Sequence, residues 1–63
     1  MMYRDLIKLM EADGWRLHHQ TGSHMIFHHA VKPRIIVIAG GGKGSRDVPS
    51  GTEQAILKQA GLK

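Results

Sequence analysis

Hydrophobic periodicity in this chain changes character at one residue, Gly14. Before it, Tyr3, Leu6, Ile7 and Met10 recur at three- and four-residue steps, the repeat that lines one face of a helix. Arg4, Lys8 and Glu11 fall on the other side, and Leu9 widens the apolar face. After it, "WRLHHQ" alternates, with Trp15, Leu17 and His19 against Arg16, His18 and Gln20. Alternation of that kind marks a strand with one half-buried face. Glycine suits the junction because it takes the left-handed conformation that stops a helix. A helix over residues 3 to 13 followed at once by a strand restricts the chain to an α+β arrangement.

The remaining segments extend this pattern. Thr21-Gly22 supplies the turn of a hairpin, and "SHMIFHH", residues 23 to 29, is the return strand. Pro33 in "AVKPR" breaks pairing, and "IIVIA", residues 35 to 39, is rich in β-branched side chains. Ser50 precedes Glu53 by the three residues of a capping box, with Pro49 just ahead. Ala55, Ile56, Gln59 and Ala60 carry that last helix to Gly61. The first helix has no Ser, Thr, Asp or Asn before Tyr3 to cap it. The order is helix, three strands, helix, read as a single domain over residues 1–63. Short connections predict a three-stranded antiparallel sheet with both helices on one face. The opposite face is then left to water or to a partner.

The composition narrows the function classes. Nine Lys and Arg against five Asp and Glu give a formal charge of +4, which favours a polyanionic partner such as nucleic acid. Three aromatics in all argue against a single-strand binder that stacks successive bases. The absence of cysteine removes disulfide and thiolate sites and fits a reducing cytoplasm. No apolar run is long enough to span a bilayer, and the N-terminal segment lacks a basic-then-apolar signal pattern.

Five histidines first suggest a metal. His24 and His28 are four apart, but in a strand they share a face while standing well separated along it. His18-His19 and His28-His29 are adjacent pairs whose members are expected on opposite faces. No Asp or Glu lies between residues 14 and 46, so no structural metal site is expected. "GGGKGS" resembles a phosphate loop only loosely, because Lys43 is followed by Gly44 rather than Ser or Thr. It reads as a connector from which Lys43 and Arg46 can reach a phosphate.

Parity within the second strand separates Ser23, Met25, Phe27 and His29 from His24, Ile26 and His28. Phe27 and Met25 make the better core pair, which turns His24 outward beside the Gly22 turn. An imidazole titrates near neutrality and exchanges protons in both directions. RNA offers a matching target, since its 2′-hydroxyl can be deprotonated to attack the adjacent phosphate. Arg16, Lys43 and Arg46 are the cations expected to offset the developing charge. On the residues alone, an ordinary solvated histidine is the more common reading of such a position, and catalysis the rarer one.

"DLIKLMEADGW", "GSHMIFHH" and "DVPSGTEQAILKQAGLK", in that order over nearly the whole chain, resemble the HicA toxins of toxin–antitoxin systems. The resemblance implies a fold like the double-stranded-RNA-binding domain and an endoribonuclease that cleaves messenger RNA and arrests translation. It implies a HicB-type antitoxin partner that covers the active site, and neither a cofactor nor a membrane. The catalytic histidine of the Gly-Ser-His motif corresponds to His24, Gly22 and Ser23 to the turn that presents it, and Phe27 to a core residue. Two positions depart from the pattern. The family's Pro-x-His after its third strand falls on Ala39 and Gly41 here, and the usual serine cap of the first helix is replaced by Tyr3. An RNA-binding module of the same fold that makes no cut is the alternative expectation, and an adaptor recognised by a partner protein a third.

Overall fold

The computed structural model describes residues 1–40 and 44–63. The elements are α1 (Tyr3–Ala12), β1 (Trp15–Thr21), β2 (His24–His29), β3 (Ile36–Ala39) and α2 (Ser50–Gln59). The three strands form one antiparallel sheet in the order β1-β2-β3, the expected α-β-β-β-α arrangement of an α+β fold. β2 is therefore central and bonded on both edges.

Both helices supply the core on a single side of the sheet. Leu6 and Met10 from α1, with Ile56 of α2 and Ala60 just beyond it, join Trp15, Phe27, Ile36, Ile38 and Val48 in one buried cluster. Each large side chain in such a cluster contributes about 1.5–3 kcal/mol through removal from water. Tyr3, Ile7 and Met25 pack partly against it, as the periodicity predicted. Leu9 remains 45% exposed and Leu17 44%. Leu17 faces Phe27 across the ladder, but β1 is an edge strand and little covers it there.

The main departure from strict alternation lies in β1. Leu17 pairs with Phe27 and His19 with Ile26, so His18 is an extra residue that bulges from the ladder. A bulge resets the side-chain phase of everything after it. His19 now lies opposite Ile26, and Gln20 opposite Met25, the reverse of the faces that alternation assigned them. His18 keeps the outer side, where its ring stacks on His28 at 4.1 Å and 15°. His18 and His19 thus share a face that simple parity had divided between them.

The caps also differ from expectation. Helix α2 begins one residue earlier than a Ser50 cap requires: Pro49 is the N-cap, its carbonyl accepts from the Glu53 amide at 2.9 Å, and no side chain caps the turn. Ser50 is already helical, so the capping-box spacing is out of phase by one. Helix α1 has no capping side chain either. Backbone carbonyls replace it, because Arg46 O accepts from the Tyr3 amide at 2.9 Å and Gly44 O from Arg4 at 3.2 Å. The segment before α2 is thereby tied to the start of α1, and a bridge between Met2 and Asp47 continues the contact.

At the other end of the sheet His29 forms a polar joint. Its Nδ1 accepts from the amides of Val31 and Lys32 at 3.0 and 3.1 Å. The proton must then sit on Nε2, which donates to the Asp13 carbonyl at 2.7 Å. The ring meets Trp15 edge-on at 5.1 Å. Lys32 Nζ donates to Asp13 Oδ2 at 2.5 Å and to the Ala60 carbonyl at 2.8 Å. One cluster thus links the end of α1, the end of β2 and the end of α2. Gly14 makes room for it: its φ is +107°, and a Cβ there would stand 2.8 Å from His29 Nε2.

Two outcomes follow. Gly14→Ala combines a left-handed backbone with that clash and is expected to cost about 2 kcal/mol or more. Gly51→Ala, where a Cβ meets nothing within 4 Å, is expected to be neutral or stabilising by up to about 1 kcal/mol in its helix; urea denaturation compares them. The hydrogen bond and charge of Lys32 hold the Asp13 carboxyl below its ordinary value of 3.8. As pH falls, the unfolded chain takes up this proton before the folded one. The stabilisation is present above the ordinary value and lost as pH drops through the depressed one. Asp13→Asn should therefore lower the urea midpoint near neutrality and flatten its acid limb.

Candidate active site

The sheet face away from the helices carries most of the histidines. His18, His19, Thr21, His24, Ile26, His28, Val37 and Ala39 occupy it, as the pairing places Thr21 opposite His24, His24 opposite Ala39 and Ile26 opposite Val37. Val37 is 52% exposed and Ile35, one step away in phase, 60%. Neither of the described helices covers this surface, and imidazoles border its apolar strip.

His24 is the first residue of the central strand. It is exposed, and its imidazole makes no hydrogen bond among the described residues. Gly22 and Ser23 are the two central residues of the hairpin, with φ positive at Gly22 alone (+58°), the pattern of a type II′ turn. Strand pairing on both sides fixes the backbone that carries the imidazole, while the ring itself is open to ligand. A catalytic group needs that combination of a stiff mount and an accessible tip.

The cations proposed from the sequence do not all gather here. Arg16 pairs with His28, four residues along β2 from His24 and so about 13 Å away. Its guanidinium folds back onto the carbonyls of Glu11 and Trp15 at 3.0 and 2.9 Å. The Arg46 backbone lies toward the His24 end of the sheet. Ala39 lies opposite His24, the next residue, Gly40, packs against the Tyr3 ring, and the Tyr3 amide bonds Arg46 O. Lys43 and Gly41 lie outside the described residues. Alternation alone places His19 on the other face, because it carries no signal for a bulge.

Among the described residues no group of three or more His, Cys, Asp or Glu gathers to hold a metal ion. None of the described helices is long and apolar enough to cross a membrane. A separate open groove of about 470 Å³ runs between Lys32, Arg34 and Lys58, past the far end of β2. Its lining is basic and holds no acid–base pair.

Fold and candidate site together define a small α+β protein with an open antiparallel sheet face that carries exposed imidazoles, His24 on its central strand among them. Over residues 3–62 the sequence matches the family described as HicA toxin of bacterial toxin–antitoxin. The chain belongs to the HicA family and is a toxin of a toxin–antitoxin system. Comparison with curated proteins gave no match.

The turn that positions His24 can be tested directly. Gly22→Ala is expected to cost about 1–2 kcal/mol through its left-handed φ alone, as open space surrounds the position. Gly22→Asn should cost less, since asparagine is among the residues that occupy primed hairpin turns. Thermal denaturation of the pair measures the difference.

Proposed function

We propose that this toxin is an endoribonuclease that cleaves messenger RNA in the cytoplasm and so stops translation, with His24 as its general acid–base group. The carrying observation is the placement of His24: exposed, its imidazole without a hydrogen bond among the described residues, and mounted at the start of the central strand. RNA lies across the open sheet face. Neutral His24 takes the proton of a 2′-hydroxyl as that oxygen attacks the neighbouring phosphorus. The P–O5′ bond breaks, leaving a 2′,3′-cyclic phosphate on one fragment and a 5′-hydroxyl on the other. Gly22 and Ser23 hold the turn beside the reacting phosphate, and Arg46 and Lys43 supply positive charge toward it. Arg16, at the opposite end of the face, meets a more distant phosphate of the same strand. The reaction uses no metal and no cofactor.

A HicB-type antitoxin is the partner that restrains the activity, and the sheet face that receives RNA is the surface it must deny to RNA. A non-catalytic RNA-binding module is favoured by one observation: the family's second histidine falls on Gly41 here.

Purified protein incubated with a long RNA and a chelator distinguishes the readings. Cleavage by the parent is expected, with a loss of roughly 10²-fold or more in His24→Gln at unchanged melting temperature. A substrate with 2′-deoxyribose at the cut position should survive intact. Uncut RNA that shows only a salt-sensitive mobility shift would establish binding without catalysis.

A further inference from the structure

Cleavage by one histidine leaves the departing 5′-oxygen without an evident proton donor. The bulge at His18 brings a second imidazole to the right face. His19 pairs with Ile26, two residues along β2 from His24, so the two histidines are diagonal neighbours across the β1–β2 ladder. Diagonal positions lie about 7–8 Å apart, within reach of ring side chains. A phosphate that bridges two such rings offers its attacking oxygen to one and its leaving oxygen to the other.

The His19 ring is held toward that space. Its Nε2 is hydrogen-bonded to Thr21 Oγ1 at 2.9 Å, and Thr21 stands directly opposite His24. A hydroxyl both donates and accepts, so Thr21 can hold the imidazole in its neutral and in its protonated state. The contact leaves Nδ1 without a partner among the described residues. His18, the other bulge residue, is engaged differently, stacked on His28 at the Arg16 end of the face.

We propose that His19 is the second catalytic residue of this toxin, the general acid that protonates the leaving 5′-oxygen while His24 accepts the 2′-proton. This rests on the ribonuclease reading of His24. In the step, the O2′–H proton passes to His24, O2′ bonds phosphorus, the P–O5′ bond breaks, and Nδ1–H of the His19 imidazolium protonates O5′. One proton is taken up and one released, and exchange with water resets both rings. Thr21 acts as a positioning residue. The arrangement supplies on β1 what the family pattern places after its third strand, where this chain has Gly41.

A substrate that needs no acid separates the roles. In an RNA whose scissile 5′-oxygen is replaced by sulfur, the thiolate leaves without protonation. His19→Gln is expected to cut ordinary RNA about 10²-fold more slowly than the parent and the sulfur-bridged RNA within a few-fold of it. His24→Gln should be slow on both, because the 2′-proton must still be removed. Thr21→Val should resemble a milder His19→Gln. Circular dichroism verifies that each variant is folded. If His24→Gln is slow on both substrates while His19→Gln matches the parent on ordinary RNA, or is equally slow on the two, the assignment of His19 is overturned and that of His24 stands. If the parent cuts neither substrate, or His24→Gln cuts both at the parental rate, the ribonuclease reading itself falls and this inference with it.

Discussion

The His29 imidazole is the joint on which the rest of the sheet depends. It collects two amides from the turn after β2, donates to the end of α1 and packs its edge on Trp15. With both nitrogens and one ring edge engaged, the end of β2 has one place to go. A strand has a period of two, so fixing one residue fixes the face of every other residue in it. His24 is five residues upstream of His29. That odd separation sends it to the opposite face, which neither of the described helices covers. One histidine anchors the strand from the inside, and another is thereby presented on the outside.

Similar side chains serve different ends because the sheet has two unlike faces. On the helix side polar groups must be satisfied internally, and His29, Asp13, Lys32 and the Ala60 carbonyl satisfy one another. On the open side water does this work, so His24 can remain uncommitted. The bulge enlarges that open side. An extra residue in an edge strand displaces only β1, since β2 keeps its ladder to β3 intact. The outer face gains a histidine while the inner face retains its packing.

The helix ends show a comparable economy of side chains. Neither α1 nor α2 uses a capping side chain. Carbonyls of Gly44 and Arg46 take the first amides of α1, which holds the segment leading to α2 beside Tyr3. That segment follows β3, whose last residue, Ala39, pairs with His24. One backbone contact thus both satisfies the start of α1 and holds the segment before α2 in place.

Much of the fold and half of the site were legible in the residues. The change of period at Gly14, the alternation of β2 and the β-branched run of β3 are local properties, and they determined the element order and the outward setting of His24. The Gly-Ser-His turn was equally plain, because a glycine at a tight hairpin has few other uses. The rest depended on partners distant in the chain. Whether Ser50 or Pro49 caps α2, whether Arg16 reaches His24, and whether His29 is solvated or anchored are settled by what packs beside them. The faces of His18 and His19 turn on a single unpaired residue, a matter of register between two strands that neither strand encodes alone. Sequence periodicity therefore determined which elements form and which way β2 faces. Only tertiary pairing decided which histidines meet, because a bulge exists solely in the relation between one strand and its neighbour.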